Sequence, residues 1–378
     1  MSVPAELHGG EAARGDGLSA PPRLVDCDVH NEGTPATFAP YLPQRWRSHV
    51  EAYGLRSREE LDSYPALRTP SRRADAHPPG GGPPGSDPEF SRRQLLDEFG
   101  IDIGVLTCLQ GQAVHVGYNQ PAELSAALAR ATNDWVLDAW FGSDPRWRSA
   151  IHARVEEPRT AVAEIERCAA QSDRFVQIAV APRTERPLGH PKYWDLFEAA
   201  AELDLPISLH PAGMGGHSGH ATGVPSSFFE LHAGLHFSIF SAISSLIFEG
   251  VFDRWPTLRI VVIELGWAWV APWAWRLDAC QRVLGSEVSL QRKPSEYIAD
   301  HFWFTTQPME APEDPRWFNA VYEQFESVGL AGHLMFSTDY PHWDFDSPLS
   351  AVPKSLPEET RSAIFGGNAA ALYGLGAP

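Results

Sequence analysis

Short apolar runs in this 378-residue sequence end repeatedly in side chains that can bind a metal ion or transfer a proton. These side chains are Asp28 and His30, His210, Glu264, and Asp339. The first pair lies in LVDCDVH, where alternate residues of a β-strand would point to the same side. Burying such groups together is costly unless a cation compensates their charge. Their recurrence at the ends of separate runs predicts one shared metal or catalytic site.

A divalent metal ion is the cofactor that these residue types favour. Asp28, His30, His210 and Asp339 would supply two carboxylates and two imidazoles. This mixture suits Zn²⁺ and also Mn²⁺, Fe²⁺ or Co²⁺, whereas Mg²⁺ and Ca²⁺ sites seldom use two histidines. We expect one divalent ion, with zinc as the first choice and a coordination position left open for water or substrate.

Two further carboxylates have more than one role open to them. Glu264 can be a general base that deprotonates a metal-bound water or moves a proton at a reacting carbon. It can also be structural, hydrogen-bonded to backbone groups or to an arginine. Asp26 lies two residues before Asp28, so both side chains would point to the same side of the strand. We expect it to hydrogen-bond within the fold and orient the ligands, with direct ligation as the alternative.

Four of the other histidines are also candidates for the site. His217 and His220 belong to the Gly-rich stretch PAGMGGHSGH after His210. Either can supply a catalytic acid or base above the metal, or both can be solvated loop residues. His232 and His236 have helical spacing, which also suits a metal, but a packed or surface pair is the simpler interpretation.

Residues just past the strand ends are candidates for the substrate pocket. His342 and Trp343 follow Asp339, and Trp267 follows Glu264. A flat apolar wall made by the two indoles would hold an aromatic substrate. We expect His342 to line the same pocket.

Eight candidate strands alternate with longer helical patterns. The strands are expected at 24–30, 101–109, 149–155, 174–180, 205–210, 259–265, 301–306 and 333–338. Alternating strands and helices imply parallel pairing, and eight such units close most simply into a distorted (β/α)8 barrel, an α/β fold. In this barrel the active site lies at the carboxyl ends of the strands. An open doubly wound sheet would need a Gly-rich phosphate loop after the first strand, and VHNEGTP is not one.

The expected domain organisation is simple. Residues 1–22, rich in Gly, Ala and Pro, form a flexible leader, and residues 23–378 form a single barrel domain. A mobile Pro/Gly-rich insertion is expected at about 66–90, either a plain loop or a lid over the site.

Composition excludes several classes of partner. The net charge of −18, without a basic stripe, argues against nucleic acid and anionic membrane surfaces. Neither a secretory signal nor a long apolar span is visible, and the four cysteines are scattered. We therefore expect a cytoplasmic protein with reduced thiols, no nucleic-acid partner and no membrane partner.

The segments LVDCDVH, LPISLHPAG, LMFSTDYPHWD and IFGGNAAALYGL together resemble the amidohydrolase-related family, the amidohydrolase 2 branch of the amidohydrolase superfamily. The resemblance runs from about residue 24 to 375 in the family's order. It implies a barrel with one divalent metal, and it places the family's ligands on Asp28, His30, His210 and Asp339. Glu264 stands where decarboxylases of the family have an acid/base histidine.

The resemblance implies a metal-dependent enzyme acting on a small-molecule carboxylate or carbonyl substrate. Nonoxidative decarboxylation of a carboxylated aromatic or unsaturated compound is our first hypothesis. Hydrolysis of an ester, lactone or amide is the alternative, with Glu264 or Asp339 moving the proton. A catalytically inactive barrel used for binding is the third hypothesis. Homodimers occur in the family, and Trp-rich helices would suit such a contact.

Overall fold

Eight parallel strands form the centre of the fold, in the order in which they occur along the chain. The computed structural model describes residues 23–55, 71–109, 121–211, 226–310 and 312–376. The strands are β1 Val25–Val29, β2 Ile103–Leu106, β3 Trp147–His152, β4 Phe175–Val180, β5 Ile207–Leu209, β6 Ile260–Val262, β7 Phe302–Thr305 and β8 Leu334–Met335. Each lies inside or overlaps its predicted run, which confirms the predicted (β/α)8 barrel. The predicted leader and residues 66–70 lie outside the described residues.

Helices surround the strands. The α-helices are α1 Pro35–Phe38, α2 Gln44–Tyr53, α3 Pro88–Ser91, α4 Ala122–Trp135, α5 Phe141–Ser143, α6 Pro158–Gln171, α7 Trp194–Glu202, α8 Phe228–Ala233, α9 Phe237–Phe248, α10 Val251–Arg254, α11 Val270–Leu284, α12 Pro294–His301, α13 Pro315–Ser327, α14 Glu358–Ser362 and α15 Asn368–Tyr373. Short 3₁₀ helices lie at Ala39–Tyr41, Ala74–Ala76 and Pro191–Tyr193, and π-helical turns at Arg92–Asp97, Val136–Trp140 and Ala363–Gly367. None of the helices in the described ranges is both long and apolar enough to cross a bilayer.

Local sequence explains where several helices begin and end. Proline occupies the first turn of α13, and the Asp314 side chain accepts a hydrogen bond from the Arg316 N–H, as at many helix starts. The sequence pattern at 238–255 predicts one helix, but the structure divides it into α9 and α10. Gly250 between them has a φ of 69°, a left-handed conformation that ends a helix.

Hydrogen bonds between β1 and the chain around β8 close the barrel. The Cys27 N–H donates to the Phe336 carbonyl at 3.0 Å, and the Asp339 N–H donates to the Asp28 carbonyl at 3.1 Å. The buried Asp26 carboxylate accepts hydrogen bonds from the N–H of Thr338 at 2.9 Å and from its hydroxyl at 2.6 Å. It also accepts the Asp28 N–H at 3.2 Å. Asp26 therefore fixes β1 against the segment that carries Asp339.

Residues 71–90 of the predicted insertion lie against the carboxyl end of the barrel. The Glu32 N–H donates to the Gly85 carbonyl at 2.9 Å, and the Trp343 N–H donates to the Ser71 carbonyl at 3.2 Å. The insertion therefore joins the loop after β1 to the loop after β8. Its mobility stays a prediction.

Gly85 offers a test of this contact, because it combines a φ of 77° with a close approach to β1. A Cβ atom there would lie 2.5 Å from the His30 carbonyl oxygen. We expect Gly85→Ala to lower the free energy of unfolding by more than about 2 kcal/mol, the sum of backbone strain and collision. Thermal and urea unfolding measure the change.

Gly81→Ala is the matched control. Gly81 has a φ of 89°, and no described atom lies within 4 Å of a Cβ placed there. This variant should therefore cost only the backbone strain, about 1 kcal/mol. Equal losses in the two variants would contradict the packing of the insertion on β1.

Candidate active site

The carboxyl end of β1 directs Asp28 and His30 into the barrel mouth, and both are fully buried. The His30 Nδ1 lies 2.9 Å from the Thr107 carbonyl oxygen. Because a carbonyl only accepts hydrogen bonds, Nδ1 carries the proton and Nε2 keeps a lone pair. This Nε2 lies 3.5 Å from Asp28 Oδ1 and 2.7 Å from Asp339 Oδ1. The lone pair of Nε2 thus faces two carboxylates. Only a shared proton or a cation can offset the repulsion between the lone pair and the carboxylate oxygens.

The ends of β5 and β6 contribute a second imidazole–carboxylate pair. Nε2 of the buried His210 lies 2.9 Å from Glu264 Oε2 and 3.7 Å from Asp28 Oδ2. The rings of His30 and His210 meet edge to face, with centroids 5.0 Å apart. The ends of three strands therefore converge on one buried volume, as the sequence predicts.

The chain after β8 completes the cluster with Asp339 and His342. His342 Nδ1 makes a short hydrogen bond to Asp339 Oδ1, and the His342 N–H donates to the Asp339 carbonyl at 2.8 Å. The His342 ring packs edge to face on His30, with centroids 4.7 Å apart. His342 therefore lies inside the cluster.

Glu264 and Asp339 both have left-handed backbone conformations, with φ values of 53° and 59°. For residues with a β-carbon this conformation costs on the order of 1–3 kcal/mol, and it concentrates at functional sites. Each follows the end of its strand, β6 or β8, and the unusual φ turns the side chain into the barrel mouth. The strain therefore coincides with the positions that the sequence predicts to do chemistry.

Charges within the cluster shift the pKa values of its members strongly. Burial opposes the positive charge of His210, but Asp28 and Glu264 outweigh it and raise the pKa of His210 to about 9. Burial lowers the pKa of His30, although the Asp28 carboxylate opposes the change. The pKa of Asp339 lies well above its ordinary value because of burial and because Glu264 and Asp28 repel its negative charge. Negative charge is therefore in excess here.

The carboxylate and imidazole groups of the cluster are suited to bind a cation. Neither oxygen of Asp28 accepts a hydrogen bond from any part of the chain that the structure describes. Buried carboxylate oxygens in this state are costly unless a cation compensates them. Two overlapping sets of buried residues each offer donor atoms within 4.8 Å of one another: Asp28, His30, His210 and Glu264, and His30, Glu264, Asp339 and His342.

The predicted ligands Asp28, His30, His210 and Asp339 are divided between these sets. Asp339 joins the other three through His30 and Glu264. The structure thus brings all the predicted strand-end residues together, and it places Glu264 at the centre of the cluster.

The loop after β6 is held by a carboxylate from the loop after β7. Glu310 Oε2 accepts the N–H groups of Trp267 and Ala268, both at 3.3 Å, and Oε1 pairs with His236 Nε2 at 2.9 Å. A Cβ atom on Gly266, whose φ is 69°, would lie 2.5 Å from the Glu310 carboxylate. Only glycine therefore allows this contact, which positions the loop that begins at Glu264.

Trp267 does not face the cluster. Its ring is 1% exposed and packs edge to face on Phe318 and Phe325 of α13, with centroids 5.7 and 5.4 Å away. The left-handed turns at Glu264 and Gly266 redirect the chain, so the indole enters the core between barrel and helix. The expectation that Trp267 lines the substrate pocket is therefore wrong.

Trp343 lies at the mouth, with 45% of its surface exposed. Its ring packs edge to face on His232, with centroids 5.7 Å apart. His232 and His236 are partly buried and contact different carboxylates, Asp344 and Glu310, on different loops. The predicted acid/base candidates His217 and His220 lie outside the described residues.

Sequence reasoning missed two groups beside the cluster. The Arg72 guanidinium bonds Glu32 through Nε at 2.7 Å, and the Arg72 backbone forms a bridge with His342. His232 Nε2 lies 3.2 Å from Asp344 Oδ2. Arg72 comes from the Pro/Gly-rich insertion, where no periodicity indicates a position. Asp344 ends the run DYPHWD, which begins at the predicted ligand Asp339, so its position in the sequence could have indicated it.

The chain is similar to known proteins over most of its length. A family model described as Amidohydrolase, for the amidohydrolase 2 family, matches residues 25–375. The 2-amino-3-carboxymuconate-6-semialdehyde decarboxylase of Dictyostelium discoideum is 24% identical over 355 residues, covering 88% of this chain and 89% of that protein.

Solved structures share the fold. The 5-carboxyvanillate decarboxylase of Sphingomonas paucimobilis superposes with a TM-score of 0.67 at 24% identity, covering 93% of this chain and 99% of that chain. The 5-carboxyvanillate decarboxylase of Novosphingobium aromaticivorans gives 0.67 at 18% identity, covering 93% and 96%. That crystal contains manganese and 4-hydroxy-3-methoxy-5-nitrobenzoic acid.

Metal content tests the cluster directly. We expect the purified protein to hold about one divalent ion per chain, since four donors suffice for one structural or catalytic ion. Asp28→Asn and His210→Ala should each lower metal affinity at least about tenfold, because each removes a buried donor. Elemental analysis after dialysis against a weak chelator measures the loss.

His333→Asn is the control for this experiment. The half-buried His333 ring bonds the Phe302 carbonyl at 2.8 Å near the amino end of β8, away from the cluster. The metal content of His333→Asn should equal that of the unmodified protein. Full metal occupancy in both Asp28→Asn and His210→Ala would contradict the site.

Proposed function

Because this chain belongs to the amidohydrolase 2 family, we propose that it is a metal-dependent nonoxidative decarboxylase of a small carboxylated aromatic or unsaturated compound. The observation that carries the proposal is the buried cluster at the carboxyl ends of β1, β5, β6 and β8, with a carboxylate in its centre. The relatives named above, decarboxylases of muconate and vanillate derivatives, support this choice over hydrolysis.

The donors that would hold the metal are Asp28, His30, His210 and Asp339. When bound, a divalent ion would act as a Lewis acid that binds the carboxylate of the substrate and an adjacent oxygen. The Thr107 carbonyl keeps the proton of His30 on Nδ1, so that Nε2 is available for ligation. Asp26 holds the β1 backbone at Asp28, which keeps that carboxylate in place.

We choose zinc first, with manganese, iron and cobalt as alternatives. Two imidazoles and two carboxylates suit each of these ions. The manganese in a solved relative supports that alternative in particular. Elemental analysis of untreated protein decides among them.

Glu264 is the group that moves the proton in this proposal. Burial favours the neutral form of Glu264, but the hydrogen bond and charge of His210 outweigh it and lower the pKa of Glu264. Glu264 must therefore take up a proton before its carboxyl group donates one to the substrate carbon that bears the carboxylate. The bond between that carbon and the carboxylate then breaks, its electron pair returns to the unsaturated system, and CO₂ leaves. His210, 2.9 Å from Oε2, fixes the orientation of Glu264. His342 and the exposed face of Trp343 line the mouth through which a planar substrate would enter.

We also propose that the chain forms a homodimer. The helix α11 exposes Trp275, Val283 and Leu284 on its outer side. Apolar side chains of this size are candidates for a subunit contact. Light scattering coupled to size exclusion tests the assembly, and a monomeric mass would contradict it.

A cytoplasmic location is the final part of the proposal. All four cysteines belong to the described residues, and none forms a disulfide. Reduced thiols are typical of a reducing compartment. Fractionation of the source cells tests this part.

Glu264→Gln tests the role of the carboxylate. The amide preserves the size and polarity of the side chain but cannot donate a carboxylic proton. We expect kcat to fall by about 10²–10⁴-fold, the usual contribution of a general acid or base, with metal content retained. Glu249→Gln is the control, because Glu249 lies on the surface at the end of α9. Turnover of Glu264→Gln within a few-fold of the unmodified enzyme would remove Glu264 from the mechanism.

A substrate panel tests the reaction class. We expect CO₂ release from hydroxybenzoates and unsaturated acids whose carboxylate adjoins an oxygen, since both groups can bind one ion. Release is measured with a coupled CO₂ assay on metal-loaded protein. Cleavage of esters, lactones or amides without CO₂ release would replace this proposal with the hydrolase. A metal-free, inactive protein would favour a binding role.

A further inference from the structure

Gln307 lies in the wall of the barrel mouth, and it is 1% exposed. It follows the end of β7 by two residues, and the strand order places β7 between the strands that precede Glu264 and Asp339. Its backbone N–H donates to the Ser337 hydroxyl at 3.0 Å, and the Ser337 N–H donates to the Thr306 hydroxyl at 3.1 Å. The backbone at Gln307 is therefore fixed next to the buried cluster.

Asp344 determines which way the Gln307 amide faces. Gln307 Nε2 donates to Asp344 Oδ2 at 2.9 Å and lies 3.4 Å from the Asp344 carbonyl oxygen. A carboxylate and a carbonyl only accept hydrogen bonds, so Nε2 faces Asp344 and Oε1 faces away from it. His232 Nε2 lies 3.2 Å from the same Oδ2 atom and 3.9 Å from Glu264 Oε1. Asp344 and His232 thus connect the amide with Glu264.

The Gln307 side chain presents an acceptor for which the described chain supplies no donor. Neither Gln307 Oε1 nor Asp344 Oδ1 accepts a hydrogen bond from any described residue, and both atoms are buried. Most buried polar groups in folded proteins have a partner, because an unmatched acceptor keeps the full cost of its lost hydration. A ligand that carries an N–H or O–H group would supply the missing donor.

The charge around Gln307 decides which kind of ligand group fits. Burial raises the pKa of Asp346 to about 6, the Met309 N–H opposes the increase, and the charge of Asp344 adds to it. Asp344 and Asp346 thus place negative charge on this side of the mouth. A second carboxylate of a substrate would be repelled here, whereas a hydroxyl or an amino group would donate to Oε1 without repulsion.

We propose that Gln307 selects substrates that carry a hydroxyl or amino group in addition to the carboxylate and adjacent oxygen that bind the metal. The added group donates to Gln307 Oε1, and Asp344 is the positioning residue that fixes the direction of this oxygen. A site built to accept a hydrogen bond rejects an analogue without the donor, because its buried acceptor is then left unmatched. This inference rests on the proposed function and narrows its substrates to hydroxylated or aminated acids.

Salicylate and its ring-substituted derivatives test the preference, because salicylate has a carboxylate beside one oxygen and no further donor. Derivatives with a hydroxyl or an amino group at each other ring position supply the donor, and the matching methoxy derivatives supply an oxygen without one. Calorimetry on metal-loaded protein measures Kd, and the coupled CO₂ assay measures KM. We expect one hydroxyl or amino position to lower both constants at least about tenfold relative to salicylate and to the methoxy derivative.

Gln307→Met removes the acceptor and preserves the length of the side chain. We expect Kd and KM of the preferred acid to rise at least about tenfold, while those of salicylate stay within about twofold. A merely structural glutamine would change both acids alike. Gln177→Met is the matched control, because Oε1 of the buried Gln177 already accepts the Tyr373 hydroxyl at 2.8 Å. This control should keep the preference.

Asp344→Ala tests the positioning residue. It retains the Gln307 amide but removes the carboxylate that holds Nε2, so the preference for the added donor should fall although the acceptor is still present. Asp344→Asn should restore the preference, since its side-chain oxygen can still accept the Gln307 N–H. Equal preferences in Asp344→Ala and the unmodified protein would overturn the role of Asp344.

The outcomes separate this inference from the function on which it rests. If the acids with an added donor bind more tightly through Gln307 but none releases CO₂, the decarboxylase is overturned and the ligand preference stands. If CO₂ is released but the hydroxyl, amino and methoxy derivatives bind equally, or none binds, the inference is overturned and the decarboxylase stands. A water molecule on Gln307 Oε1 in a crystal structure of the complex, in place of the donor of the ligand, would also overturn the inference.

Discussion

One buried carboxylate on β1 joins the first strand of the barrel to the segment after the last strand through two hydrogen bonds from Thr338. Asp26 on β1 accepts the N–H and the hydroxyl of Thr338, which follows β8, together with the N–H of Asp28. Burial raises the pKa of Asp26 to about 7, and the hydrogen bonds from Thr338 oppose the increase. The contact fixes the distance between Asp28 and Asp339, which come from opposite ends of the chain. Together with the backbone hydrogen bonds from Asp339 to Asp28 and from Cys27 to Phe336, it holds the strand-end groups of β1 and β8 at a common centre.

The carboxylates of the cluster carry more negative charge than the buried His30 and His210 can neutralise. Glu264 pairs with His210, and the Asp339 carboxyl must then hold a proton or share a cation. A bound ion would relieve this repulsion, so folding and ion binding favour each other at this site. The other carboxylate oxygen of Glu264, Oε1, lies 3.9 Å from Nε2 of the partly exposed His232. One side chain thus connects the buried donors with the part of the protein that solvent reaches.

Periodicity and strand order were enough to predict the barrel and the convergence of its polar residues. Asp28 and His30 alternate within a buried run, and the parallel order places His210 and Asp339 at the same end. The direction of a side chain beyond a strand end was not predictable. Trp267 faces the core because two left-handed residues precede it, and backbone angles of this kind leave little trace in one sequence.

The left-handed residues that close β6 and β8 also bear on how this protein would respond to engineering. Glycine accepts that backbone conformation more readily than a glutamate or an aspartate does, and asparagine accepts it more readily than a glutamate does. Variants selected only for heat resistance would therefore drift toward these amino acids at positions 264 and 339. Thermostability and turnover would then be opposed at these two positions, so a screen for robust variants must assay catalysis alongside melting.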